Sequence, residues 1–110
     1  MSKKIAFMGT PTISRQILKS LYQNGFDIEV VYTQPPVASN RGHRLNKSPV
    51  HIMAEILNIP VRTPIVLDNT EEKNFLHKQN ISLGIVVAYG QILKKDILEI
   101  PKYGWINIHC

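Results

Sequence analysis

Two side chains near the carboxyl end of the sequence could move a proton and hold a developing negative charge. They are Asn107 and His109, in "GWINIH" (104–109). Residues two apart in a β-strand share a face. A strand here turns Asn107 and His109 one way and Ile106 and Ile108 the other. Histidine takes and returns protons near neutrality, with an unperturbed pKa of about 6.5. Asparagine offers a neutral N–H donor to an oxyanion. Together they suit acyl transfer to an amine, with His109 managing the amine proton and Asn107 holding the oxygen of the tetrahedral intermediate. The same pair also fits a strand terminus hydrogen-bonded to a neighbouring loop, and spacing does not separate the two readings. His51, between apolar positions of a helix, and His77, in a polar helix, read as structural or solvated. No His, Cys, Asp and Glu have metal-ligand spacing, so no metal is expected.

The elements that must position the pair are legible from apolar runs and punctuation. "KIAFMGT" (4–10) is a buried strand closed by Gly9-Thr10-Pro11. Ile13, Ile17, Leu18 and Leu21 then recur at helical spacing, with Thr10 or Thr12 as the expected N-cap and Gly25 at the other end. "DIEVVYT" (27–33) is a second strand. Residues 34–47 hold two prolines and a glycine without periodicity and read as a long loop. Ser48-Pro49 opens a helix, "IPVRTP" (59–64) is a short strand, and Asn69 opens a helix with acids in its first turn. "SLGIVVAYG" (82–90) is a strand covered on both faces, "KKDILEI" a short helix and "GWINIH" the last strand. This β-α-β-α-β-α-β-α-β order predicts an α/β fold with a Rossmann-like, doubly wound, mainly parallel sheet. Ligands of such sheets bind outside the carboxyl ends of the strands. Thr10, the 34–47 segment, Tyr89-Gly90 and His109 all belong to that edge.

The composition narrows the function classes. A chain of 110 residues is one domain at most. No run of eighteen apolar residues is present, so no membrane span is expected. The amino-terminal apolar run is too short for a secretory signal. The single cysteine, Cys110, agrees with a reducing compartment, so the expected location is cytoplasmic. "MGTPTIS" has one glycine where a dinucleotide site needs G-x-G-x-x-G, and no phosphate-loop motif occurs, so NAD, FAD and ATP are not expected. Net charge is +5. Its distribution is more telling, because Arg41, His43, Arg44 and Lys47 cluster in "SNRGHRLNKSP" (39–49) with no acid among them. Such a cluster on a long loop is a candidate phosphate-backbone contact, and equally an ordinary solvated loop.

Five stretches taken together resemble one family. "IAFMGTPTIS", "VVYTQPP", "RGHRLNKSPV", "IPVRTP" and "IVVAYGQILKKDILEIPKYGWINIH" run in register with the amino-terminal domain of methionyl-tRNA formyltransferases, from about Lys4 to His109. The last stretch is shared more widely among enzymes that use 10-formyltetrahydrofolate. The "TQP…RG…SPV" segment is more specific to the tRNA enzymes. The resemblance implies transfer of a formyl group from 10-formyltetrahydrofolate, with no metal and no NAD, to the amino group of initiator methionyl-tRNA. Asn107 and His109 match the family's catalytic Asn-x-His. Tyr89, Gly90, Gln91, Ile92 and Leu93 match the segment lining the folate pocket. The 34–48 segment matches the loop that meets the tRNA acceptor stem, which makes Arg41, His43, Arg44 and Lys47 the expected tRNA contacts. In the family a Ser-Leu-Leu-Pro folate turn follows the motif, then an aspartate that orients the histidine, then a carboxyl-terminal barrel. None of these lies within residues 1–110. The expectation is therefore the amino-terminal portion of a formyltransferase catalytic domain, its sheet incomplete at the carboxyl-terminal end. On its own it would be inactive, serving as a non-catalytic tRNA- or folate-binding half-domain or needing a second chain to complete it.

Overall fold

A computed structural model describes residues 3–39, 42 and 44–109. Five strands form one parallel sheet: β1 (Lys4–Gly9), β2 (Asp27–Tyr32), β5 (Val61–Arg62), β6 (Leu83–Val87) and β7 (Trp105–Asn107), in the order β5-β2-β1-β6-β7. Between β2 and β5 lie a two-residue hairpin, β3 (Val37–Ala38) with β4 (Leu45–Asn46), and helix α2 (Pro49–Ile56). The other helices are α1 (Thr12–Gln23), α3 (Thr70–Lys78) and α4 (Lys95–Leu98). The strand order reverses beside β1, which has β2 on one side and β6 on the other. A crevice opens at such a switch point. The expected doubly wound architecture is therefore present, and β7 is an edge strand with no outer partner among the described residues.

Period-2 alternation divides the core. Ile5, Phe7, Val31, Ile85 and Val87 face α1 and α2, where Leu18, Val50 and Ala54 are fully buried against them. Ala6, Met8, Val30 and Tyr32 face the opposite layer, where Leu76 of α3, Ile97 of α4 and Trp105 of β7 pack. Both faces of β1 and β6 are thus covered, as their unbroken apolar runs require.

The caps explain the helix limits. Ser48 Oγ accepts from the His51 amide and Asn69 Oδ1 from the Glu72 amide, as expected. α1 ends in a Schellman turn: Gly25, at φ +84°, donates to Tyr22 and Phe26 donates to Leu21. The expected threonine cap at its start is corrected. Pro11 occupies the cap position with no side-chain bond. The Thr10 hydroxyl is instead used across the sheet, donating to the Tyr89 carbonyl at 2.7 Å. The 34–47 segment is also not structureless, since β3 and β4 pair within it.

A buried polar cluster ties β2, β5 and α3 together. Glu72 accepts from the Tyr32 hydroxyl at 2.7 Å and from Arg62 Nε at 2.6 Å and Nη2 at 3.2 Å, and the Arg62 guanidinium also lies over the Phe75 ring. Burial, the largest single influence, pushes the Glu72 carboxyl up. The hydrogen bonds from Arg62 and Tyr32 outweigh it and hold the carboxyl below its usual range. No helix among the described residues is long and apolar enough to cross a membrane.

Candidate active site at the carboxyl edge of the sheet

The site is built where β6 and β7 end. Trp105 fixes β7 laterally: its indole N–H donates to the Ile97 carbonyl at 3.1 Å, and its ring lies flat on Gly84 of β6. A Cβ at Gly84 would fall 2.2 Å from the indole Cε3, so only glycine admits the ring there. With Trp105 seated, the next residue on the same face is Asn107, and the Ile108 amide still donates to the Val86 carbonyl at 2.9 Å, carrying the β6–β7 pairing one step further.

β6 ends abruptly. Ala88 adopts φ +50° and Gly90 φ +102°, so the chain turns twice within three residues and lays Gln91–Leu93 across the sheet edge. The Tyr89 side chain is buried beneath this turn. Burial, with Glu72 nearby, pushes its hydroxyl well above its usual pKa. It is therefore a neutral packing group, and only the Tyr89 backbone faces the turn's hydrogen-bonding partners.

Two hollows meet at this edge. One, of 490 Å³, runs between Ile92, Leu93, Leu98 and Trp105. It is predominantly apolar and suits a flat heteroaromatic group. The other, of 420 Å³, is lined by Ile13, Ala88, Tyr89, Ile108 and His109. Val86, Gln91 and Asn107 line both. Asn107 thus stands at the junction of the two hollows, with His109 in the second. Neither side chain has a hydrogen-bond partner among the described residues, and both are exposed. Among the described residues no loop makes the bond that the strand-terminus alternative requires.

The residues expected at the site fall into two groups. Asn107, His109, Tyr89, Gln91, Ile92 and Leu93 come together at this edge, with Gly90 supplying the turn. Ile13, Val86, Ala88, Leu98 and Trp105 also line the hollows without having been singled out. The sequence pattern places them only within strands and helices, and the topology alone brings their exposed parts to the edge. Of the basic cluster, Arg44 is exposed beside the β3–β4 hairpin, its carbonyl accepting from the Ser39 amide at 2.8 Å. Arg41 and His43 lie outside the described residues, as does Cys110. Lys47 departs from the expectation of an open phosphate contact. Its ammonium donates to both Glu55 oxygens, at 2.8 and 3.1 Å, because α2 carries that carboxylate back over the segment. Both partners are half-exposed, so water screens the pair and a stronger anion can displace it. Among the described residues no group of His, Cys, Asp and Glu is arranged to hold a metal ion.

Comparison with known proteins places this edge in context. The family described as formyl transferase matches residues 3–110. The methionyl-tRNA formyltransferase of Pelagibacter ubique is 54% identical over 111 residues, covering 100% of this chain and 36% of that protein. The methionyl-tRNA formyltransferase of Caulobacter vibrioides is 45% identical over 107 residues, covering 97% of this chain and 35% of that protein. The chain thus spans about a third of the length of these relatives. Among solved structures, a phosphoribosylglycinamide formyltransferase from Bacillus halodurans superposes with a TM-score of 0.70 at 14% identity, covering 96% of this chain and 55% of that one. Glycinamide ribonucleotide transformylase 1 from Geobacillus kaustophilus gives 0.68 at 13% identity, covering 97% and 57%. At those identities the likeness is one of fold.

Proposed function

The chain belongs to the formyl transferase family, and from that premise we propose that its sheet edge is the formyl-transfer site of a methionyl-tRNA formyltransferase. The observation that carries this reading is the place of Asn107 at the junction of two hollows, with His109 facing one of them. A group-transfer site needs donor and acceptor to meet at one atom. The apolar groove beside Trp105 suits the ring system of 10-formyltetrahydrofolate, with main-chain groups of Gly90–Leu93 reading its polar edge. The hollow beside His109 suits the aminoacyl amine.

The residues then take these roles. The amine attacks the formyl carbon at the junction, and the carbonyl oxygen becomes an oxyanion that accepts a hydrogen bond from Asn107 Nδ2. His109 takes the proton from the attacking nitrogen. The bond from the formyl carbon to N10 of the folate breaks as N10 regains a proton, leaving an N-formyl amide. Arg44, with Arg41, His43 and Lys47, meets the phosphates of the initiator tRNA. Among the described residues no carboxylate lies within ion-pair reach of His109. An imidazole without an orienting carboxylate is about four orders of magnitude slower in a comparable His-Asp arrangement. A polypeptide of residues 1–110 alone is therefore expected to show no measurable turnover.

The test joins residues 1–109 to the remaining two thirds of the Pelagibacter relative, so that a downstream carboxylate and folate turn are supplied. This graft is expected to formylate methionyl-tRNA from 10-formyltetrahydrofolate and to leave glycinamide ribonucleotide untouched. Transfer to the small ribonucleotide, or none to methionyl-tRNA from a folded graft, would contradict the reading.

A further inference from the structure

Gln34 is the first residue of the basic 34–47 segment, yet its side chain is bound to the opposite wall of the crevice. Its Nε2 donates to the Gly90 carbonyl at 3.1 Å, and its Oε1 accepts from Gln91 Nε2 at 3.0 Å. Its backbone amide donates to Thr10 Oγ1 at 3.3 Å, whose own proton goes to the Tyr89 carbonyl. Gln91 Nε2 also donates to the Pro64 carbonyl at 3.0 Å, and Gln91 Oε1 accepts from the Leu67 amide at 2.7 Å. Both N–H donors of the Gln91 amide and one lone pair of its oxygen are thereby used. The contact at Gly90 is close as well as polar: a Cβ there would lie 2.7 Å from Gln34 Nε2. The turn it braces contains Ala88 at φ +50°, a conformation that non-glycine residues hold only when their surroundings enforce it.

We propose that Gln34 is a positioning residue for the donor groove: its amide clamps Gly90 and Gln91, so the wall of the groove takes its conformation from the root of the basic segment. Only the identity of the groove's ligand rests on the formyl-transfer reading. Gln34 touches no reacting atom; it acts through Gln91, which lines both hollows. A neutral amide is required here because one end must donate to a carbonyl while the other accepts from an amide. A carboxylate can do only the second until it is protonated.

Amide hydrogen exchange on the 110-residue chain tests this with Gln34→Ala and Gln34→Glu, each compared with wild type at the same pH. In Gln34→Ala the Leu67 amide, held by Gln91, is expected to lose about tenfold in protection, while Phe7 in β1 keeps its own. In Gln34→Glu the same loss is expected at pH 7 and recovers below about pH 4, where the carboxyl regains a proton to give to Gly90. A passive space-filling role would produce no such pH-dependent rescue. Titration of the graft, which carries the folate turn, with 5-formyltetrahydrofolate, an isomer that does not donate its formyl group, is expected to show about tenfold weaker binding in Gln34→Ala. Unchanged Leu67 protection in Gln34→Ala, no recovery of Gln34→Glu in acid, or equal loss at Phe7 would each overturn the proposal. A wild-type graft that ignores the folate, beside a chain that keeps the clamp, would count against the formyl-transfer reading and leave the clamp standing.

Discussion

Replacing His109 by alanine in the graft is expected to slow formyl transfer to methionyl-tRNA by about 10⁴-fold, at the upper end of the range for loss of a general base and no less than the loss of its orienting carboxylate. Asn107→Ala is expected to cost about 10²–10³-fold, as for removal of one oxyanion donor. The pattern matters as much as the size. Both side chains are exposed, and neither is bonded to the protein among the described residues. Their removal should therefore leave the melting temperature unchanged. Their proposed contacts strengthen as charge develops, so kcat should fall while the KM for tRNA stays within a few fold. The two losses should add to less than their sum, because both residues act on one intermediate. Single-turnover kinetics with saturating donor give these numbers. A loss confined to KM would mean that the pair binds substrate without acting on it.

The second large effect is on stability and originates at Gly84. A methyl group there would overlap the Trp105 indole, at 2.2–2.5 Å from three of its carbons. The ring cannot slide away without breaking its bond to the Ile97 carbonyl and unseating β7. Gly84→Ala is expected to cost about 3 kcal/mol, at the upper end of overpacking, and to lower Tm by about 10 °C or more. Because β7 carries Asn107, the variant should also lose groove binding below its melting temperature. Thermal unfolding followed by the fluorescence of Trp105, the chain's single tryptophan, reads both the stability and the seating of the ring. A Gly84→Ala protein with wild-type Tm would show that the indole is not held as described.

Much of this arrangement is legible in the sequence for identifiable reasons. The continuous apolar runs of β1 and β6 allow only strands covered on both faces, and the helical patterns between strands dictate a parallel sheet. That alone puts Gly90 and His109 at one edge. Ser48 and Asn69 act as caps although each has a second partner, because the Ser48 Oγ–Thr33 Oγ1 contact at 2.6 Å and the Asn69 Nδ2 bond to the Val66 carbonyl at 2.6 Å leave an oxygen lone pair for the helix amide. Thr10 fails as a cap because a distant partner, the Tyr89 carbonyl, takes its hydroxyl. Contacts set by topology rather than by local pattern stayed hidden. Gln34 and Gln91 meet across 57 positions of sequence. Lys47 is drawn to Glu55 by the direction of a helix, and Glu72 is drawn inward by Arg62 and Tyr32. Hydrophobic periodicity is silent about which polar side chains turn inward. The two-residue pairing of β3 with β4 is too short to leave an alternating pattern. The roles of the Asn-His pair were suggested by residue type. The place of Asn107 at the junction of two hollows, with His109 in one of them, belongs to the fold.

The most direct measurement is a two-dimensional amide spectrum of the isotopically labelled graft, which carries the folate turn, titrated with 5-formyltetrahydrofolate to millimolar concentration. The Trp105 indole, the backbone signals of Gln91–Leu93 and the Asn107 side-chain amide are expected to move together along one binding curve. Signals at the opposite edge of the sheet, where Phe26 and Tyr103 line a separate apolar hollow, should stay in place. Shifts confined to Phe26 and Tyr103, or a spectrum indifferent to the folate, would contradict the assignment of the carboxyl edge as the formyl-transfer site.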